Sequence, residues 1–200
     1  MQGGKHAGAN SVLKAEVGQY TNAADALPAG VGELVWPSAR LMRVRRGQLL
    51  IGGGNMSTEV YIVLEGSVQI SMFSAHGKEV ILRTIRAGKI FGELAALDLQ
   101  PRSASVTALE NSTLAAVPAE VFRNALDTVP GAASWLGQHF SEQVRTLSDK
   151  IFELGVLAVR SRLHCELLRL GLEAGTTQNR AVIAPAPTHA DATPINAQIV

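Results

Sequence analysis

From Leu41 onward the chain alternates apolar and polar side chains with a period of two. Leu41 and Val44 are interleaved with Arg43, Arg45 and Arg46 before Gly47, and Leu49-Leu50-Ile51 runs into Gly52-Gly53-Gly54-Asn55. Val60–Val63 is a short apolar run turned by Glu65-Gly66. Val68, Ile70 and Met72 then alternate with Ser67, Gln69 and Ser71, the pattern of a strand with one buried face. His76-Gly77 reads as a hairpin turn, Val80-Ile81-Leu82 as the returning strand, and Ala87-Gly88 as a break. Ser105–Ala108 and Thr113–Val117 flank a turn at Glu110-Asn111-Ser112. Many short strands at even spacing predict a jelly-roll or β-roll. The early arginines read as a solvated strand face, not a phosphate patch, because apolar residues alternate with them.

At Pro118 the period changes to that of a helix. Glu120 falls in a first turn, where the helix dipole favours it, and Val121, Phe122, Ala125 and Leu126 form an apolar stripe. Pro130-Gly131 restarts the chain. Phe140, Val144, Leu147, Ile151, Leu154 and Ala158 follow at alternating spacings of four and three, a narrow heptad seam. A helix packed only on its own domain carries a wider stripe, so the seam predicts a two-stranded coiled coil and a homodimer. Arg160–Leu170 reads as another amphipathic helix, with Leu163, Leu167 and Leu168 on one face, ending at Gly171. Ala181-Val182-Ile183 is a strand candidate, and Thr188–Asp191 looks like a helix start with Pro194 close behind. At the other end, residues 1–34 are rich in Gly, Ala, Asn and Ser, and Pro28-Ala29-Gly30 interrupts any helix there. Val12–Val17 and Ala23–Leu27 are its only helical stretches, and the segment is expected to be mostly loose.

Two hundred residues suffice for one domain with appendages or for two small domains. The net charge of +1 excludes a general polyanion-binding surface. No apolar run approaches the length of a membrane span, and the polar N-terminus has no hydrophobic signal core, so the expectation is a cytoplasmic protein without membrane contact. A single cysteine, Cys165, excludes a disulfide framework and an iron–sulfur cluster held by several thiolates. His76 is the one histidine among the predicted strands. A metal-dependent β-barrel enzyme needs at least two histidines and a carboxylate converging, so neither a metal, a haem nor an enzymatic activity is expected.

The stretch Phe-Gly-Glu-Leu-Ala-Ala-Leu-Asp-Leu-Gln-Pro-Arg-Ser-Ala-Ser-Val, residues 91–106, breaks the pattern of an ordinary half-buried sheet. Glu93 comes where a strand gives way to a short helical turn, and Arg102 follows nine residues later. A carboxylate accepts hydrogen bonds from vicinal hydroxyls, and a guanidinium forks onto a phosphate. Free backbone N–H groups at the start of the turn favour the same anion. Together they describe a site for a sugar phosphate.

The run resembles the phosphate-binding cassette of the cyclic-nucleotide-binding domain, and residues 43–170 resemble the sensor half of the Crp/Fnr family of bacterial transcription regulators. The resemblance implies that Glu93 takes the ribose 2′-hydroxyl and that Arg102 pairs with the cyclic phosphate. Ser103 and Ala104, with the backbone around Gly92 and Leu94, complete the phosphate cage. Leu82 and Arg83 lie at the base end, where relatives carry a small polar residue at the position of Arg83. Arg83 can meet a guanine carbonyl, stack on a purine or face solvent, and solvent is the preferred reading. In cAMP-responsive relatives a Thr-Ser pair on the long helix touches adenine, the Ser reaching the opposite subunit's nucleotide. The matching positions are Leu147 and Ser148, so the Ser is kept and the Thr is lost. The allosteric ligand is expected to be cAMP in preference to cGMP. A hinge Asp of the family is replaced by Ala158, with Ser161 as a substitute cap.

The expected fold is α+β. A loose segment (1–34) precedes a cyclic-nucleotide-binding β-roll with a short helix (35–129), a dimerisation helix (130–158) whose interface is Phe140, Val144, Leu147, Ile151 and Leu154, and an incomplete winged helix-turn-helix (159–200). The family continues into a recognition helix that enters the major groove of DNA. Only nine residues follow Asp191 and no Arg or Lys follows Arg180, so the remnant is expected to be truncated. The expected function is a cyclic-nucleotide-sensing regulator whose ligand biases a dimer toward a DNA-binding state. The alternative is a stand-alone nucleotide-binding dimerisation module acting through a protein partner.

Overall fold

In the computed structural model, Tyr20 and residues 27–174 are described. They form α1 (Ala29–Val35), β1 (Arg40–Val44), β2 (Leu49–Ile51), β3 (Val60–Glu65), β4 (Ser67–Phe73), β5 (Glu79–Arg86), β6 (Ile90–Phe91), α2 (Glu93–Asp98), β7 (Ser105–Ala108), β8 (Ser112–Val117), α3 (Ala119–Thr128), α4 (Ala132–Val156) and α5 (Val159–Ala174). The strands make two four-stranded antiparallel sheets, ordered β1-β8-β3-β6 and β2-β7-β4-β5. This is the β-roll with helices that the even strand spacing predicts.

Two cores explain why some strands alternate and others do not. Tyr61, Val63, Leu114 and Ala116 of the first sheet meet Val68, Ile70, Ile85 and Val106 of the second. On the other face of the first sheet, Val60, Ile62, Leu64, Ala115 and Val117 pack against Val31 and Val35 of α1, Phe122 and Ala125 of α3, and Leu136 of α4. β3 and β8 are thus covered on both faces and read as unbroken apolar runs, whereas the outer strands keep one wet face. Arg43, Arg45 and Arg46 are exposed, as their alternation with Leu41 and Val44 requires.

The expectations fail in four places. Residues 29–34, read as loose, are helical, and Val31 and Val35 are fully buried. Pro28 starts α1 instead of breaking a helix, because its fixed φ and missing N–H cost nothing before a first turn. The candidate helix at 12–17 and the candidate at 23–27 except its last residue, Leu27, lie outside the described residues, as do the strand and helix-start candidates after residue 180. Met72 is exposed and Ser71 buried, because β7 reaches only as far as Ser71 and the β4–β5 hairpin projects beyond it. The last helix runs through Gly171 to Ala174, and Ser161 lies inside it, past the cap position.

The long helix starts at Gly131, whose φ of 82° suits only glycine, and ends where Leu157 turns to extended backbone. Its N-terminal half belongs to the domain: Leu136 is buried, and Trp135 and Phe140 pack against the helical core. Phe140 therefore serves its own subunit's core. Farther along, Val144 is 62% exposed, Ile151 70% and Leu147 39%. The Leu154 side chain lies outside what is described.

Candidate functional site

The site begins at a conformational requirement. Gly92 has φ 84° at the start of α2, and a Cβ there would lie 2.6 Å from Arg102 Nη1 and 3.0 Å from the Glu59 carbonyl. Only glycine accepts both the left-handed backbone and that close approach. Arg102 fills the space: Nη1 donates to the Gly92 carbonyl at 2.9 Å, Nη2 to the Glu59 carbonyl at 2.7 Å, and Nε to Ser57 Oγ at 3.0 Å. Its guanidinium sits 5.7 Å from the centre of the Tyr61 ring. The residue is 5% exposed, and burial holds its pKa below the ordinary arginine value against the opposing pull of Tyr61, Glu59 and Glu93. The Tyr61 hydroxyl, buried and donating to Glu59 Oε2 at 2.9 Å, is pushed up to about 12 and stays neutral. A guanidinium has five N–H donors, so these contacts leave one on each terminal nitrogen for a ligand. The backbone of Arg102 is fixed too, pairing with Gly54 and Asn55 of the glycine-rich loop at 2.8 Å each.

Glu93 is 1% exposed and points the other way, toward the long helix. Its Oε1 accepts from Gln143 Nε2 at 2.9 Å and lies 3.6 Å from His139 Nε2 and 3.9 Å from Arg83 Nη2. Burial alone pushes the carboxyl up, but the His139 and Gln143 bonds, its own backbone N–H and the Arg83 charge outweigh it and hold Glu93 below the usual range. The carboxylate is ionised, oriented and backed by donors, as an acceptor for sugar hydroxyls needs to be.

Three partners of Glu93 (Arg83, His139 and Gln143) line a cavity of about 270 Å³ between β5 and α4. Leu82, Leu147 and Lys150 line it as well, and Arg169 and Leu170 of α5 close one side. An irregularity in β5 shapes this wall. Opposite β4, Ile70 pairs with Arg83 and Ser71 with Ile81, so Leu82 is an extra, bulged residue. A bulge frees main-chain groups from the ladder, and here the Leu82 carbonyl accepts from Lys150 Nζ at 2.8 Å.

Of the residues singled out in the sequence, Gly92, Glu93 and Arg102 come together, and Leu82, Arg83 and Leu147 share the cavity. Arg83 is 24% exposed and faces Glu93, not bulk solvent as preferred from the sequence. Ser103 and Leu94 are exposed, Ala104 is half-buried beside them, and Ser148 is exposed on α4 outside the cavity lining. Sequence reasoning missed Ser57, Glu59 and Tyr61, which seat Arg102, and His139, Gln143 and Lys150, which meet Glu93 and the bulge. The available signal was the spacing of His139, Gln143 and Lys150 at i, i+4 and i+11, which puts polar side chains on one helix face otherwise meant for the domain. Among the described residues no three His, Cys, Asp or Glu side chains are grouped to hold a metal ion, and no helix is long and apolar enough to cross a membrane.

Residues 41–129 match the family model of the cyclic nucleotide-binding domain. The cAMP-activated global transcriptional regulator CRP of Haemophilus influenzae is 30% identical over 122 residues, 60% of this chain and 54% of that one. The Thermus thermophilus catabolite activator protein is 26% identical with a TM-score of 0.57, over 74% of this chain and 69% of that one. The global regulator CLP of Xanthomonas campestris shares the fold at 22% identity and a TM-score of 0.66, over 76% of each chain. The matches span 54% to 61% of the length of the curated relatives. Residues 41–129, with Gly92, Glu93 and Arg102 inside them, are thus similar to the cyclic nucleotide-binding domain, and the chain is similar to CRP-like regulators over part of its length.

Proposed function

We propose that this chain is a cyclic-nucleotide-sensing regulator of transcription that works as a homodimer and performs no catalysis of its own. The observation that carries the reading is the split between two buried charges on either side of Gly92. Glu93 is held ionised behind the cavity-lining Arg83, His139 and Gln143 as an acceptor for ribose hydroxyls, and Arg102 keeps two N–H groups for one phosphate. A 3′,5′-cyclic purine nucleotide carries a ribose hydroxyl and a phosphate for these two charges and a base to fill the cavity along β5. Ser103, Ala104 and the backbone of Leu94 flank the phosphate, and Ser148, exposed in one subunit, reaches the partner's nucleotide.

The ligand would bridge β-roll and long helix, and it shifts the dimer between helix arrangements by its differential affinity for them. The CRP proteins among its relatives are named as cAMP-activated, and cAMP and cGMP are the two candidate ligands. Calorimetric titration of the whole chain with both is the test, with Arg102→Ala and Arg102→Lys as variants. Truncation of the buried charge should cost about 2–5 kcal/mol of affinity, and Lys should recover only part of it. Absence of heat with both nucleotides on the wild type would end the sensor reading. A mobility-shift assay with and without nucleotide then separates a DNA-binding regulator from a module that acts through a protein partner.

A further inference from the structure

The base end of the cavity holds a cation whose hydrogen bonds are not spoken for. Among the described residues, the one polar contact of the Arg83 side chain is the 3.9 Å ion pair with Glu93, longer than a hydrogen bond. Its fork of donors lines the cavity beside Gln143 and Leu147. The extra residue at Leu82 sets the position of this side chain, and Lys150, bonded to the Leu82 carbonyl, ties that segment to the long helix. A half-buried guanidinium with open donors calls for a ligand acceptor, since burying unpaired donors is costly.

The two common purines differ at the edge such a fork would read. Guanine presents two acceptors, O6 and N7, matched to bidentate arginine. Adenine keeps N7 but replaces O6 with an amino donor, which sets donor against donor. The facing helix offers adenine no compensation at Leu147, whose side chain has no acceptor. The Glu142 carboxylate, also on the cavity wall, accepts from the N–H groups of either purine and so does not discriminate. We propose that the bound base is a 6-oxopurine, guanine or its close analogue, gripped across O6 and N7 by Arg83. The proposal rests on the cyclic-nucleotide reading above and reverses the preference for cAMP drawn from the sequence.

The test titrates the whole chain with cAMP, cGMP and 3′,5′-cyclic inosine monophosphate, which shares O6 with guanine but lacks its 2-amino group. cGMP and the inosine nucleotide are expected to bind at least about fivefold more tightly than cAMP, the low end of one bidentate base contact. Arg83→Ala should bring all three to within about twofold of one another. If Arg83→Ala fails to fold by circular dichroism, Arg83→Lys, which keeps the charge and loses the fork, carries the same expectation. Equal or tighter binding of cAMP by the wild type overturns the proposal. So does the inosine nucleotide behaving like cAMP, or discrimination that survives in the variant. Binding by none of the three would instead remove the cyclic-nucleotide reading on which it stands.

Discussion

Gly92 and Glu93 show how narrowly the site is specified at the scale of single residues. Gly92→Ala must place a methyl group against both the Arg102 guanidinium and the Glu59 carbonyl, in a backbone conformation that alanine resists. It is expected to cost about 1–3 kcal/mol in urea unfolding and to weaken nucleotide binding alongside. Glu93 offers a pH signature. Its folded-state pKa lies below the ordinary 4.5, so its contribution to stability is complete above that value and is lost as pH falls through the lower, folded pKa. Unfolding free energy measured from pH 5 downward should fall with a shallower slope in Glu93→Gln than in wild type, and an unchanged slope would refute the assignment. Glu93 and Arg102 could be read from the sequence because a short segment carries both at fixed spacing. The partners that make them work come from elsewhere: Gln143 lies 50 residues away. No local pattern announces them.

Among the elements, legibility followed the number of covered faces. The alternating strands announced themselves by period two, and β3 and β8 by continuous apolar runs, since the first sheet is packed on both sides. The β5 bulge was invisible because Val80-Ile81-Leu82 is uniformly apolar, so one extra residue leaves no mark on the hydrophobic pattern. α1 was missed for the opposite reason: Pro28-Ala29-Gly30 reads as a breaker, yet proline is as comfortable just before a helix as in a turn. The bulge carries a prediction of its own. Lys150→Met keeps the apolar stem but removes the donor to the Leu82 carbonyl, which should cost about 1–2 kcal/mol, near the value of a hydrogen bond to a charged group. Amide exchange at residues 81–83 should then quicken more than exchange in β3, whose contacts are unchanged. Uniform acceleration throughout the domain would argue that Lys150 contributes only to global stability.

For the whole molecule, the question is where the long helix hands over from its own domain to another partner. Leu136 is buried and Phe140 half-buried against the β-roll, whereas Val144, Ile151, Phe152 and Val156 are each more than 60% exposed. Side chains of this size in a row along one helix form an apolar surface that a lone soluble chain rarely leaves open. Val144, Leu147 and Ile151 keep the alternating three-and-four spacing of a coiled-coil seam, and a second copy of the same helix is self-complementary to it. The cavity that would hold a nucleotide's base opens against the same segment, through Gln143, Leu147 and Lys150. A dimer along this seam therefore brings its interface within one or two turns of the ligand, which lets binding and helix packing bias one another. Ile151→Glu puts a charge in the middle of the seam, at an exposed position outside the cavity lining. Sedimentation equilibrium should show the wild type at twice the mass of its chain and the variant near single-chain mass. Circular dichroism should stay close to wild type in the β-roll signal. A wild type that remains single at concentrations of tens of micromolar, with or without nucleotide, would refute the seam and leave the exposed helix face to a different protein.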